Sequence, residues 1–360
     1  MSGPEDEHDA RSDVGSGSEH GVASASPTGS GTSSTPAAAN APHCRLCGGA
    51  ITRTLDVREM MFGTREHFTY ELCAACGCLQ IATIPTDIAR HYPAGYYSFA
   101  VKPPGALKRL RRRLKRSPIL AAPGPVAGWL KRAFPRDGLL HLYRDLGVTT
   151  ADRILDVGTG SGEHVLALRD AGVTSAVGLD PYLDADIMDG GRVLVHKRDL
   201  GAMTGEFDLV TFHHALEHVP DQVQSLAHAR ARLSPRGRIL VRVPSVSSWA
   251  FEQYGTNWVN LDAPRHLCLH SHQSMGIAAA KAGLVIDRLW CDATSMSFMG
   301  SEQYRRDIPL TDPRSFTRNK RGSIFSASER AEFDRRAQLL NAALRGDFIC
   351  VLLSAARRTP

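Results

Sequence analysis

The 360-residue chain predicts an α/β fold, a mainly parallel seven-stranded sheet with helices on both faces, preceded by a small cysteine-rich module and a disordered N-terminal tail. Three observations carry this. From residue 139 onward, apolar strand-like runs alternate with helix-like stretches, the pattern of a sheet covered on both sides. One of those runs opens into a glycine-rich turn with a helix directly behind it. Ahead of them stand two Cys-x-x-Cys pairs, a spacing suited to a metal site.

Composition sets the frame. The chain is 42% hydrophobic and 22% charged, an ordinary globular balance, and its length suggests about two domains plus a tail. A formal charge of +6 is too small by itself to imply nucleic acid. No run of ~18 apolar residues is present, so no membrane-spanning helix is expected. The acidic, polar start (Met1 to Asp13) predicts no secretory signal and hence a cytoplasmic protein. Eight cysteines in such a chain argue for metal or thiol roles rather than a disulfide framework.

Residues 1–41 are mostly Gly, Ser, Ala, Thr and Pro, too poor in apolar surface to offset the entropy of ordering, and are expected to be disordered. Residues 42–84 hold the knuckles Cys44-x-x-Cys47 and Cys73-x-x-Cys76, 25 residues apart. Four thiolates close a tetrahedral zinc site with no open position, so a structural, zinc-ribbon-like module is expected. A unit of ~40 residues draws much of its stability from such a metal. His43 and Cys78 are spare potential ligands, and Cys78 is expected to pack as a small hydrophobe. Cys268, Cys291 and Cys350 are expected to be ordinary buried thiols.

Residues 85–138 form an expected linker with short helices. It contains the aromatic run Tyr96-Tyr97-Ser98-Phe99 and then a stretch, 102–136, with eleven Lys or Arg, no acid and six prolines. One short basic helix over 106–116 is predicted. The final domain spans 139–357, with strands at 153–157, 175–179, 193–196, 208–212, 238–243, 284–289 and 347–353. Helices are predicted at 162–171, 221–233 and 328–344, the last capped by Ser328.

The strongest chemical signal is Ile154-Leu155-Asp156-Val157-Gly158-Thr159-Gly160-Ser161-Gly162. Glycines let the backbone pass close to a ligand, and the helix behind offers free N–H groups. A nicotinamide site would carry G-x-G-x-x-G, whereas this turn is G-x-G-x-G with Asp156 before it. Asp180 ends the second strand, where a carboxylate can accept hydrogen bonds from both hydroxyls of a ribose.

This turn resembles motif I of class I S-adenosylmethionine (SAM)-dependent methyltransferases, with a Rossmann-like sheet. The resemblance continues through Asp180, Asp199 after the third strand, Leu216-Glu217-His218-Val219 after the fourth, and Leu233-Ser234-Pro235-Arg236-Gly237 into the fifth. It covers roughly 139–357 with the motifs in order. It implies SAM as cofactor, held by Asp156 at the methionine end, by Gly158, Thr159, Gly160, Gly162 and His213 around the turn, by Asp180 at the ribose and by Asp199 at the adenine.

Methyl transfer aligns donor and acceptor and often removes a proton from the acceptor, for which histidine is the natural base near neutral pH. Candidates are His214 and His266, with Arg265 gripping the acceptor; His213 and His218 are also at hand. Trp258-Val259-Asn260-Leu261-Asp262-Ala263-Pro264-Arg265-His266-Leu267 resembles a run of zinc-module methyltransferases from bacterial sugar and cell-surface gene clusters. Cys78 departs from that family, which has an apolar residue there. Relatives that methylate sugar carbon carry a long further domain, and this chain ends after its last predicted strand, so O-methylation of a sugar hydroxyl is the expected reaction. The Asn-Pro-Pro-Tyr motif of adenine and glutamine methyltransferases is absent.

Three rivals remain at this level. The basic stretch and zinc module fit an rRNA methyltransferase. Leu107, Leu110 and Leu114 among arginines fit a membrane-peripheral enzyme on an anionic leaflet. A non-catalytic zinc adaptor with a degenerate domain is opposed by the intact glycine turn.

Overall fold

The computed structural model describes residues 42–93, 106–121, 124–134, 137–320 and 322–356. The tail at 1–41 and the run Tyr96-Tyr97-Ser98-Phe99 lie outside the described residues. The cysteine knuckles frame a small antiparallel sheet: β1 (Ile51–Arg58), β2 (His67–Cys73) and β3 (Leu79–Ile81). In β1, Leu55 and Val57 turn inward while Thr54 and Asp56 face solvent, the two-residue period of a half-buried strand. Each knuckle closes on a glycine in the left-handed region, Gly48 (φ 76°) and Gly77 (φ 68°).

The basic stretch is more ordered than a linker. Helix α1 (Ala106–Ala121) runs past the expected end at Arg116 and through Pro118, and α2 (Gly124–Ala133) and α3 (Gly138–Asp145) follow. Electrostatics and the tail of the helix explain the extension. Arg109 pairs with Asp189, Arg112 with Asp170, and Arg116 with both Asp137 and Asp170, while Ile119 is completely buried. Arg109, Arg112 and Arg116 thus face the protein, while Arg111 and Arg113 are exposed, and Leu107, Leu110 and Leu114 face out, 67%, 54% and 71% exposed.

The large sheet is built from β4 (Ile154–Val157), β5 (Val177–Leu179), β6 (Ile187–Asp189), β7 (Arg192–His196), β8 (Phe207–His213) and β9 (Leu233–Pro244), joined later by two C-terminal strands. Between them lie α4 (Glu163–Asp170) and α5 (Gln222–Arg230). After β9 come α6 (Trp249–Tyr254), β10 (Cys268–Leu269), α7 (His272–Lys281), β11 (Leu284–Cys291), α8 (Met296–Arg305), α9 (Ala327–Ala342) and β12 (Phe348–Ala355). The order is β11-β12-β9-β8-β4-β5-β7-β6, with β7, β5, β4, β8 and β9 parallel. β12 runs against both of its neighbours. The seven expected strands are present, and β6 adds an eighth at the edge, folded back on β7 through Gly190-Gly191. Every residue of β4 is buried, as a central strand with both faces covered requires. The order reverses at β4, so a crevice opens at the carboxyl ends of β4 and β8.

Two local expectations are corrected. α9 is capped by Ser326, not Ser328, because Ser326 and Glu329 form a reciprocal capping box. The strand pair β3–β10 was not expected: Leu269 and Cys268 add a fourth strand to the small sheet.

Candidate functional site

At the crevice, Gly158, Gly160 and Gly162 all take left-handed φ values (68°, 56° and 78°). A Cβ on Gly158 would lie 2.6 Å from that of Ala215, so the turn cannot carry a side chain there. Asp156 is 1% exposed; its Oδ1 accepts from Thr211 Oγ1 at 2.7 Å, and its Oδ2 has no hydrogen-bond partner. A buried carboxylate oxygen left open in this way suits an ammonium donor, which is what the methionine end of SAM carries. Thr159 Oγ1 is likewise buried without a partner.

Asp180 fastens the turn. Its Oδ2 accepts from Gly160 N at 2.9 Å and its Oδ1 from Tyr182 N at 3.0 Å. Burial pushes its carboxyl up and these two N–H groups oppose that. Each oxygen keeps a further lone pair, enough for the two hydroxyls of a ribose. His213 is bound through Nε2 to Tyr143 Oη at 2.7 Å and meets His164 edge-on; burial drives its pKa well below the usual histidine value. Asp199 is exposed at the start of the short turn Leu200–Ala202 and makes no side-chain cap. The donor set around Asp156 and Asp180 fits SAM, which would supply an electrophilic methyl group at the crevice.

The second group gathers after β8 and β9. Glu217 is 1% exposed and neither of its oxygens has a hydrogen-bond partner. Burial raises its carboxyl, and the imidazoles of His214, His218 and His266 oppose that only to the extent that they carry charge. His218 Nδ1 lies 2.9 Å from the Arg265 carbonyl, and His266 Nδ1 lies 2.8 Å from that of Asn260. A carbonyl only accepts, so both rings donate from Nδ1, which leaves Nε2 as the nitrogen available to a ligand. The rings meet edge-on, centroids 4.8 Å apart.

Two expected roles are corrected. Arg265 is fully buried: it bonds Asp262 through Nε (3.0 Å) and Nη2 (2.6 Å), Glu59 through Nη2 (2.9 Å) and the His91 carbonyl through Nη1 (3.2 Å). With its donors engaged it cannot grip an acceptor; it fixes the loop that carries His266. Burial opposes ionisation of Asp262, and Arg265 prevails, holding it at about 2. His214 is no free base either. Its Nε2 accepts from Arg242 Nη1 at 2.6 Å, and its ring stands against Phe348.

Sequence reasoning missed Glu59 and Tyr70. Glu59 also accepts from the N–H groups of Met61, Phe62 and Thr64, and Tyr70 Oη donates to the His266 carbonyl at 2.8 Å. Both stand in the cysteine region, and nothing in their local sequence marks them. Glu217 was within view in the Leu-Glu-His-Val run, but its burial was not.

The four thiols Cys44, Cys47, Cys73 and Cys76 have sulfurs within 4.8 Å of one another, with Cys44–Cys76 at 3.7 Å and Cys47–Cys73 at 3.5 Å. A tetrahedral zinc with bonds of ~2.3 Å has edges of ~3.8 Å, so the set is compatible with zinc. Cys78 is buried beside them with its sulfur 2.9 Å from that of Cys268.

Sheet order, glycine turn and paired acids define a class I SAM-dependent methyltransferase. Residues 103–289, more than half of the chain, match the family described as "Methyltransferase domain", and the chain belongs to that family. No curated protein matches it. Among solved structures it is similar to a SAM-dependent methyltransferase from Archaeoglobus fulgidus (17% identity, 62% of this chain and 97% of that one, TM-score 0.39). It is also similar to an O-methyltransferase of a Brevibacillus brevis trans-AT polyketide synthase, solved with S-adenosylhomocysteine (16%, 72% and 82%, TM-score 0.38). A third is a Burkholderia thailandensis 1,6-didemethyltoxoflavin N1-methyltransferase (16%, 71% and 94%, TM-score 0.35).

Proposed function

We propose that the protein transfers the methyl group of SAM to a hydroxyl of a small, sugar-like acceptor. SAM lies along Asp156, Gly158, Thr159, Gly160, Gly162 and Asp180. The acceptor lies against Glu217, His218 and His266, and an imidazole of this group takes the hydroxyl proton as the oxygen attacks the methyl group and S-adenosylhomocysteine leaves. The observation that carries this is the pairing of two imidazoles, each donating from Nδ1 to a carbonyl, with a buried carboxylate that receives no hydrogen bond. Such a group favours deprotonation of a bound hydroxyl.

Cys44, Cys47, Cys73 and Cys76 hold a structural zinc in a module spanning about 42–84, which braces the acceptor loop through Glu59 and Tyr70. The inward turn of Arg109, Arg112 and Arg116 removes much of the support for an RNA-binding reading. The outward leucines of α1 support a peripheral contact with an anionic membrane. No described helix is long and apolar enough to cross one.

Mass spectrometry of metabolite and glycan extracts from cells with and without the gene tests the reading. A singly methylated hydroxyl compound that disappears with the gene supports it. A change confined to rRNA overturns it.

A further inference from the structure

We propose that Glu217, His218 and His266 form a second metal site, distinct from the four-thiolate one, that takes a first-row divalent cation such as Mn²⁺, Fe²⁺, Co²⁺ or Zn²⁺. One ligand atom from each of the three lies within 4.8 Å of the others. His266 Nε2 stands 3.9 Å from Glu217 Oε1 and 3.8 Å from Asp262 Oδ2. Bonds of ~2.0–2.2 Å to a shared ion need ligand atoms roughly 3.0–3.5 Å apart, so the His266–Glu217 pair must close by about half an ångström or a little more and the widest pair by up to ~1.5 Å, within the reach of side-chain rotation.

The surroundings are those a ligand set requires. A metal-binding imidazole commonly donates its second ring N–H to a carbonyl, which fixes the tautomer and aims the lone pair. Both rings do this, His218 to Arg265 and His266 to Asn260. The main chain is held firmly as well: Arg265 is clamped by Glu59 and Asp262, the His266 carbonyl by Tyr70, and Leu267 N by the Glu217 carbonyl at 2.8 Å. Glu217 supplies the charge. A carboxylate this deeply buried, with neither oxygen hydrogen-bonded, is costly unless a cation meets it.

A protonated histidine meets it poorly, since the nearest imidazole nitrogens, His214 Nδ1 and His266 Nε2, stand 3.6 and 3.9 Å away, beyond hydrogen-bond distance. Two imidazoles and a carboxylate favour a borderline transition ion over Mg²⁺ or Ca²⁺, which prefer oxygen alone. Three protein ligands leave open positions, the mark of a site that also binds a substrate atom. The catalytic consequence rests on the O-methylation reading: the ion coordinates the acceptor hydroxyl and lowers its pKa, and the proton passes to solvent.

The test is metal analysis of the purified full-length protein equilibrated with micromolar Zn²⁺, Mn²⁺ or Co²⁺ and then gel-filtered. Two ions per chain are expected. His218→Ala and, separately, Glu217→Gln should each leave one ion while SAM binding by calorimetry persists. Co²⁺ at the lost site should show visible d–d bands without thiolate charge transfer. One ion per chain in the unaltered protein, or two that survive both substitutions, overturns the proposal. A second ion found without any methylated hydroxyl product sinks the O-methylation reading and leaves the site. A methylated hydroxyl with only the thiolate-bound ion does the reverse.

Discussion

Arg265 Nη2 lies 2.9 Å from Glu59 Oε1, with both side chains wholly buried, and this bond joins the loop between α6 and β10 to the turn after β1. It links the cysteine region to the chain that bears His266. Removing one partner of a buried ion pair leaves the other charge uncompensated. Glu59→Gln should therefore destabilise the protein by about 3 kcal/mol, the low end of the usual range because Asp262 still pairs with Arg265. Urea unfolding measures this, and SAM affinity should be almost unchanged. Unaltered stability would show that the pair contributes nothing.

Asp156 makes a prediction of the opposite kind. Asp156→Asn keeps an acceptor for Thr211 but loses the charge offered by the open oxygen. SAM affinity should fall by ten-fold or more, about 1.4 kcal/mol, with the melting temperature within a few degrees of the parent. Calorimetric titration with SAM is the check. Equal affinity in the variant would remove Asp156 from the cofactor site.

Stability should depend on pH through Asp347. It is 1% exposed and receives Asn260 Nδ2 on Oδ2 at 2.6 Å; burial pushes its pKa up to about 7. The folded chain thus holds a proton that the unfolded chain has released. Its stabilising contribution is full below pH ~4 and is lost as pH rises toward 7, a change of up to about 4 kcal/mol. Asp347→Asn should flatten that slope and be the more stable protein at pH 8. Denaturant midpoints at pH 5 and pH 8 for both proteins decide it.

Removal of zinc should loosen the acceptor side before the donor side. A chelator strong enough to strip the four thiolates should expose amides of β1 to β3 and of residues 259–267 to hydrogen exchange, while β4 and β8 stay protected. Uniform loss of protection across both sheets would show that the thiolates support the whole chain equally.

The outward face of α1 gives a fifth expectation. Vesicles rich in anionic lipid should retain the protein in sedimentation, and replacing Leu107, Leu110 and Leu114 together by Ser should abolish retention without loss of methyl transfer. Equal sedimentation of both proteins would overturn the membrane contact.

How far these features could be foreseen differs by their range along the chain. Strands β4, β8 and β9 announce themselves because central strands are nearly continuous in apolar residues, and the glycine turn sits beside Asp156 in sequence. Asp180 also has a local signature, the end of a strand. β6 gave no signal: it is three half-exposed or exposed residues on a Gly-Gly turn. Arg265 has the look of a substrate-binding residue until its partner Glu59 is known, 206 positions earlier. The convergence of His218 with His266 depends on two loops meeting at the ends of neighbouring strands, which no local pattern encodes. The contact of His214 with Arg242 on β9 was hidden for the same reason.

Strand β10 has a consequence for the order of synthesis. Leu79 pairs with Leu269, and Cys78 meets Cys268, across a gap of 190 residues. A ribosome delivers the knuckles and β3 long before the strand that closes their sheet. Until then the edge of β3 is open, and an open edge is a template for strands of other chains. A nascent chain paused before residue 268 should therefore need protection at that edge, and the docking that aligns His266 must come late.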